Sequence, residues 1–420
     1  MRGWAVGGMI GLLLAGAGEV TSGDAGLVYN VQSYGAKGDG VVDDTAALQA
    51  ALDAAKAGGR GGEVLVPSGK YMIHKTLRLF NQDGLILRGQ GQNGWNGNFN
   101  VGSALVWNGA AGGTLLEVIG GGGMVFRDLL LAGRMTGANR EQLPRAGILF
   151  LVRTEGAGAA NTNNRISGLT LFDADAGLQI GTKANEATSS DWLIEQVSMR
   201  FLDRGFLVRN DQGVNFLFNF VFALQCGTVF CLERGGNLEV NNGVCTDCGV
   251  FAEILGGGRN TGTYLFNNCR AEWHDGGEKE RTVVLRCRPC YRQAQVRFVN
   301  YCDPQWAWHL TKGAVRQQPL CEIGPGSTVV FESAIFNTAP LATLTGDQDA
   351  PAILIVRNSC RYPDPVVAAN QYGYYRLLDC TTDTMVPLPD SIKWPKLKPV
   401  LVEQGPTQFA YPDPPPAKAQ

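Results

Sequence analysis

Charge is what this chain has little of. Charged residues are 18% of its 420 positions, the formal net charge is −2, and no basic patch stands out. That excludes a nucleic-acid partner, because phosphate binding needs clustered Lys and Arg. Long apolar runs are also missing. Met9–Ala17 is too short to span a bilayer comfortably, and no other segment approaches transmembrane length. Cysteine is absent before Cys226: all 11 lie between Cys226 and Cys380, so none sits near Ala17 to carry a lipid. The pairs Cys245-x-x-Cys248 and Cys287-x-x-Cys290 lack partner pairs at finger-like spacing, so no metal site is assigned and core thiols or disulfides remain.

What is abundant is glycine, 56 of 420, in a chain that is 45% apolar. A turn-rich all-β protein has this composition, and a helical bundle does not. The length allows two or three domains or one solenoid. Residues 1–25 look like a secretory signal: Arg2 supplies the positive start, Met9–Ala17 the apolar stretch and Ala15-Gly-Ala17 a small-residue cleavage site. The mature protein is therefore expected to be exported, whether extracellular, periplasmic or on the cell surface. After Asp390 the composition turns Pro-rich, which predicts a tail over 391–420 without fixed structure.

One block combines several local signals. In Tyr34-Gly-Ala-Lys-Gly-Asp-Gly-Val-Val-Asp-Asp-Thr45 the paired acids and the threonine suit a helix start. Ala47, Leu48, Ala51, Leu52 and Ala55 follow at helical spacing, and Gly58, Gly59, Gly61 and Gly62 stop the helix. Val64 and Val66 then alternate as a strand, and Pro67-Ser-Gly69 turns. This block resembles the N-terminal signature of the pectate-lyase-like superfamily, the rhamnogalacturonase/epimerase-type domain, over about 31–79. The resemblance implies a single right-handed parallel β-helix, here over 26–390, capped by the first helix. It also implies a polysaccharide partner, usually an acidic one. Asp43 and Asp44 read as a helix-capping pair and not as a catalytic dyad.

From about Gly168 the chain repeats. Gly177, Gly205, Gly227, Gly249 and Gly276 are 28, 22, 22 and 27 residues apart. Such periods mean stacked coils, each burying its apolar face against its neighbours. Asn219, Asn241 and Asn268 recur in the same frame, which continues through Asn300, Glu332 and Asn358. They read as a stacked ladder of turn amides. The segments Gly89–Gly113 and Gly133–Gly158 read as long loops.

Two positions before each repeat glycine the chain carries Asp175, Asp203, Gln225, Asp247 and His274, and the frame extends to Trp306. One residue on stand Ala176, Arg204, Cys226, Cys248 and Asp275. If the frame holds, these form two columns on one side of the stack. Asp175, Asp203, Asp247, His274 and Asp275 are the candidate catalytic acids and base. Arg204, Arg270, Glu272, Trp273 and Trp306 are the candidate substrate contacts, through uronate pairing and ring stacking. Backbone spacing does not choose between the carboxyl separations of retaining and inverting hydrolysis. A column of solvated turn acids explains the same residues without chemistry. The superfamily's polygalacturonase motifs, Asn-Thr-Asp, Gly-His-Gly and Arg-Ile-Lys, are absent, and so is the Arg-x-x-Pro-x-x-Arg arrangement of pectate lyases. The expectation is a secreted carbohydrate-active enzyme, hydrolase or lyase, acting on a uronate-containing or related polysaccharide, with calcium a cofactor in the lyase case. The other reading is a non-catalytic glycan-binding or structural β-helix. Oligomeric state stays open. Cys226 and Cys248, at one position of neighbouring coils, are close enough to bridge or to stack as buried thiols.

Overall fold

The computed structural model describes residues 28–59, 61–91, 102–137, 140–154, 160–256, 262–272, 283–288, 294–302, 319–336, 341–361, 367–382 and 398–404. The expected signal segment, His274, Asp275, Trp273 and Trp306 lie outside them.

Val and Ile, Leu and Phe alternate with polar residues over short runs, and left-handed residues turn the chain between runs. The result is a right-handed parallel β-helix with three faces per coil. Two faces merge into one 22-stranded sheet, because strands such as Ser189–Arg200, Gly213–Leu224 and Gly236–Thr246 bend in their middle and continue. We call the stretch before the bend face 1 and the stretch after it face 2. Face 3 is a separate 11-stranded sheet. Every pairing among its strands is parallel. No helix among the described residues is long and apolar enough to cross a membrane.

A single left-handed residue makes the bend between faces 1 and 2. In register, this rank reads Asp128, Gly168, Gln196, Phe220, Asn242, Asn268, Asn300, Ser333 and Asn358, with φ between 49° and 64°. Asn dominates because its short amide tolerates this conformation. The Asn frame expected from the sequence merges two adjacent ranks. Asn219 and Asn241 align with Asn267 and Glu332, one residue before the bend. Asn268, Asn300 and Asn358 sit at the bend itself. Both ranks form amide ladders: Asn241 Nδ2 donates to Asn219 Oδ1 at 3.2 Å, and Asn268 Nδ2 to Asn242 Oδ1 at 2.6 Å.

Inside, rings follow the rungs. Phe266, Phe298 and Phe331 stack at 4.7 Å with interplanar angles of 15° and 12°, the spacing of the strands that carry them. Helix α1, Thr45–Ala57, buries Leu48, Ala51, Leu52 and Ala55 against the first coils and caps the stack. The two acids before it divide the work. Asp43, one residue before the N-cap, accepts the N–H of Thr45 at 3.0 Å and so satisfies the first free donor of the helix. Asp44 makes no side-chain cap. Its carboxylate, 1% exposed, turns back to accept Lys37 N–H at 2.6 Å and Gly38 N–H at 3.1 Å, tying down the glycine loop.

Two expected loops are partly strand: Ser103–Trp107 lies fully buried in the 22-stranded sheet, and Ile148–Arg153 belongs to face 3. Within the expected tail, Lys398–Gln404 runs antiparallel to Gly373–Thr382. Cys226 and Cys248 do lie on neighbouring rungs. They are buried thiols not joined in a disulfide, with the Cys226 N–H donating to Cys248 Sγ at 3.4 Å.

Candidate functional site: the corner between faces 2 and 3

Each coil leaves face 2 through a second left-handed corner. Asp173, Phe201, Gln225 and Asp247 take φ of 56°, 56°, 50° and 52°. The next residue points inward: Ala174, Leu202, Cys226 and Cys248 are all at most 2% exposed. The rank after that is Asp175, Asp203, Gly227 and Gly249, and face 3 begins with Ala176, Arg204, Thr228 and Val250. The rung-to-rung bonds fix the alignment, with Asp203 N–H on Ala174 O at 3.1 Å and Gly249 N–H on Cys226 O at 2.9 Å.

This register corrects the glycine frame. Gly205 pairs with Val229, not Gly227, because the coil between them spans 24 residues along face 3. Asp175 and Asp203 do share a rank. Asp247 stands two residues earlier, in line with Asp173 and Gln225. Ala176 and Arg204 align on the outer side of face 3, while Cys226 and Cys248 belong to the core. Arg270 and Glu272 lie on face 2, paired with each other at 2.8 Å, and Thr246 Oγ1 donates to Glu272 at 3.3 Å. Tyr301 is buried in the core.

The strongest charge cluster was not apparent from the sequence frame, where Asp173 points off the column. Asp173 is 1% exposed and accepts from three arginines: Arg134 Nε at 2.6 Å, Arg140 Nε at 2.7 Å and Arg145 Nε at 3.1 Å. All three come from the loop joining the strands Val125–Ala132 and Ile148–Arg153, which folds over the outer side of face 2. Arg140 lies over the Phe172 and Phe201 rings at 5.6 and 5.1 Å, and Met135 packs on the apolar outer patch of Met72, Val106 and Leu130. Burial pushes the Asp173 carboxyl up, but the hydrogen bonds and charges of Arg140 and Arg134 outweigh it, and the group ends below its ordinary value. The available sequence signal was three arginines, at 134, 140 and 145, in one loop of a charge-poor chain.

Arg145 also reaches the next rank. Its Nη1 lies 2.8 Å from Asp175 Oδ1 and 3.2 Å from Asp203 Oδ2, and its Nη2 lies 3.0 Å from Asp203 Oδ1. Two oxygens sharing one nitrogen at those distances are within about 6 Å of each other, below the roughly 6.5–9.5 Å spread of inverting glycosidases. Both carboxylates stay open to solvent while they hold Arg145, with side chains 57% and 64% exposed. Arg204 differs. It begins the next rung of face 3, where its backbone N–H donates to Asp175 O at 2.8 Å while its guanidinium makes no hydrogen bond or ion pair among the described residues. The other cations along that face pair: Arg78 and Arg153 with Glu117, Arg209 with Glu233, and Arg286 with Glu322. No group of three or more His, Cys, Asp or Glu among the described residues is placed to hold a metal ion.

Residues 28–111 match the family described as "Rhamnogalacturonase A/epimerase, pectate lyase-like". That stretch, about a fifth of the chain, is similar to the pectate-lyase-like superfamily. Its curated relatives include mannuronan C5-epimerase AlgE1 of Azotobacter vinelandii, 62% identical over 45 residues, which is 11% of this chain and 3% of that protein. The chain thus spans a few hundredths of the length of that relative. Plasmin and fibronectin-binding protein A of Streptococcus pneumoniae is 28% identical over 200 residues, 43% of this chain and 26% of the relative. The DFA-IIIase of Arthrobacter chlorophenolicus A6 superposes with a TM-score of 0.55 at 13% identity, covering 84% of this chain and 94% of that one, a likeness of fold.

Proposed function

We propose that the protein is an exported carbohydrate-active β-helix that engages a uronate-containing or related polysaccharide at the corner between faces 2 and 3. The observation that carries this is Arg204, an unpaired guanidinium on a face whose other cations are neutralised. A guanidinium fork suits a uronate carboxylate, which it binds through two parallel hydrogen bonds. Asp203, one residue earlier, lies beside it as the carboxylate nearest a sugar held there, and Asp175 stands one rung away. As a hydrolase, the protein would use Asp203, Asp247 and His274 as acid and base. The relatives bearing epimerase and lyase names support the carbohydrate class.

A specific observation favours the second reading, a non-catalytic glycan-binding surface protein. Asp173, Asp175 and Asp203 are all engaged by arginines, an arrangement that stiffens a corner without leaving a proton donor free. The relative named plasmin and fibronectin-binding protein A supports the binding, non-catalytic part of this reading.

Incubation with pectins, alginate and rhamnogalacturonan, reading reducing ends and the absorbance of unsaturated uronates, separates the two. Turnover lost in Asp203→Ala, Asp247→Ala and His274→Ala supports the enzyme. Binding of uronans without turnover supports the surface protein, and neither binding nor turnover on any glycan sinks the proposal.

A further inference from the structure

Face 1 carries a feature that the corner does not explain. In the rank of left-handed bends, Gln196, Asn242 and Asn268 hold the conformation with polar side chains, but Phe220 holds it with a benzyl group at φ 64°. A bulky residue there costs on the order of 1 kcal/mol or more relative to Asn or Gly. Nothing inside the protein compensates, since the ring is 66% exposed. Strain kept without an internal contact points outward, to a ligand.

The neighbouring surface is built in repeats. Along the rungs, Leu193, Leu217 and Leu265 form a half-buried apolar strip interrupted by Glu239. On one side runs the ladder Asp191, Asn215, Asn237, with side-chain bonds of 2.9 and 3.1 Å. On the other runs Asn219, Asn241, Asn267, bonded at 3.2 Å each. Asn219 Nδ2 donates to no described group. A groove of about 520 Å³ lies over the first ladder and the strip. Asp191 and Glu239 line it, and no Lys or Arg does. The cations on the rungs beyond, Arg165 and Arg297, are held by Glu195 and Glu332.

We infer that face 1, from Asp191 to Phe220, binds an uncharged oligosaccharide laid along the helix axis, with Phe220 as its aromatic platform. Identical amides recurring at each rung, about 4.8 Å apart, suit a polymer with a short regular repeat. Asp191 and Glu239 accept from neighbouring amides and Ser190 but meet no cation among the described residues, so their charge accepts hydroxyl donors and repels a uronate. A peptide adding as a strand has no place here, because the backbone groups of these strands are spent on neighbouring rungs. The inference takes the carbohydrate class from the proposed function but uses neither Arg204 nor the carboxylates beside it.

The test uses the full chain, titrated calorimetrically with dextran and laminarin oligosaccharides as neutral probes and with oligogalacturonate and oligoalginate as charged ones. Phe220→Asn is the diagnostic variant, because it restores the residue that this backbone prefers. We expect its melting temperature to rise while affinity for a neutral probe falls by about tenfold, the scale of losing an aromatic anchor. A merely structural Phe220 would not move stability and binding in opposite directions. Unchanged neutral-glycan affinity in Phe220→Asn overturns the inference. So does a wild-type chain that binds only the charged probes, an outcome that leaves the proposed function standing. A self-associated wild type dispersed by Phe220→Asn assigns the face to a second copy and overturns it as well. Failure of all four probes removes both readings.

Discussion

Replacing Asp173 by Asn removes a charge and almost nothing else. Asn keeps the side-chain shape and tolerates the left-handed backbone that Asp173 adopts at φ 56°. What it loses is the anion that Arg134, Arg140 and Arg145 share, and its new amide hydrogens face donors. Removing one partner of a buried ion pair costs about 3–5 kcal/mol. Two of the three arginine side chains are a quarter exposed, at 26% and 25%, and can rehydrate, whereas Arg134, at 10%, cannot. The lower end, about 3 kcal/mol, is therefore expected at pH 7. The pH dependence has a definite sign. The folded carboxyl lies below its ordinary value, so its contribution is present above the unfolded value of about 3.9 and is lost as pH falls through the folded value. Urea unfolding at pH 7 and pH 3, with hydrogen exchange of the Gly133–Gly147 loop, reads both parts. The wild type should exceed Asp173→Asn at pH 7, the gap should narrow at pH 3, and the loop should exchange faster in the variant. A loss below about 1 kcal/mol at pH 7, or a gap that ignores pH, refutes the three-arginine lock.

The acids before α1 should separate in stability. Asp44→Ala orphans two loop N–H groups and should cost about 2–3 kcal/mol, against about 1 for Asp43→Ala, by denaturant midpoint. Equal losses would return both residues to simple capping. At the first bend, Asn242→Ala should cost about 1–2 kcal/mol, and Asn242→Gly distinctly less, because glycine carries no Cβ into φ 57°. Thermal melts in which the order reverses would contradict that reading of the rank.

The coil stack was legible because burying one apolar face per rung imposes a period, and the glycines and asparagines at turns preserve it. The cap was legible because α1 follows ordinary helix-start chemistry. Register was not legible. The coil between Gly205 and Gly227 moves the glycine by two residues, since a tight turn needs a small residue somewhere near the corner and not at one fixed rung position. Asp247 therefore appeared to stand with Asp203 when it stands with Asp173. The Asn ranks merged for a similar reason: Asn suits both the bend and the position before it, so Asn219 and Asn268 look alike in sequence. Arg134, Arg140 and Arg145 escaped because their partner lies 28 to 39 residues away, across a fold in which only pairing along the stack is periodic. Phe220 gave no signal at all, since an aromatic in a strand is ordinary until its φ is known.

The proposed corner is tested most directly by the affinity of the full chain for oligogalacturonate and oligoalginate as Arg204 is changed to Gln. Arg204 has no internal partner to lose, so folding should be unaffected. The wild type should bind with an affinity that falls as salt rises, and Arg204→Gln should bind about tenfold more weakly, the scale of one charge-assisted pair. Equal binding by both chains at every salt concentration would contradict the assignment of this corner to a polyuronate.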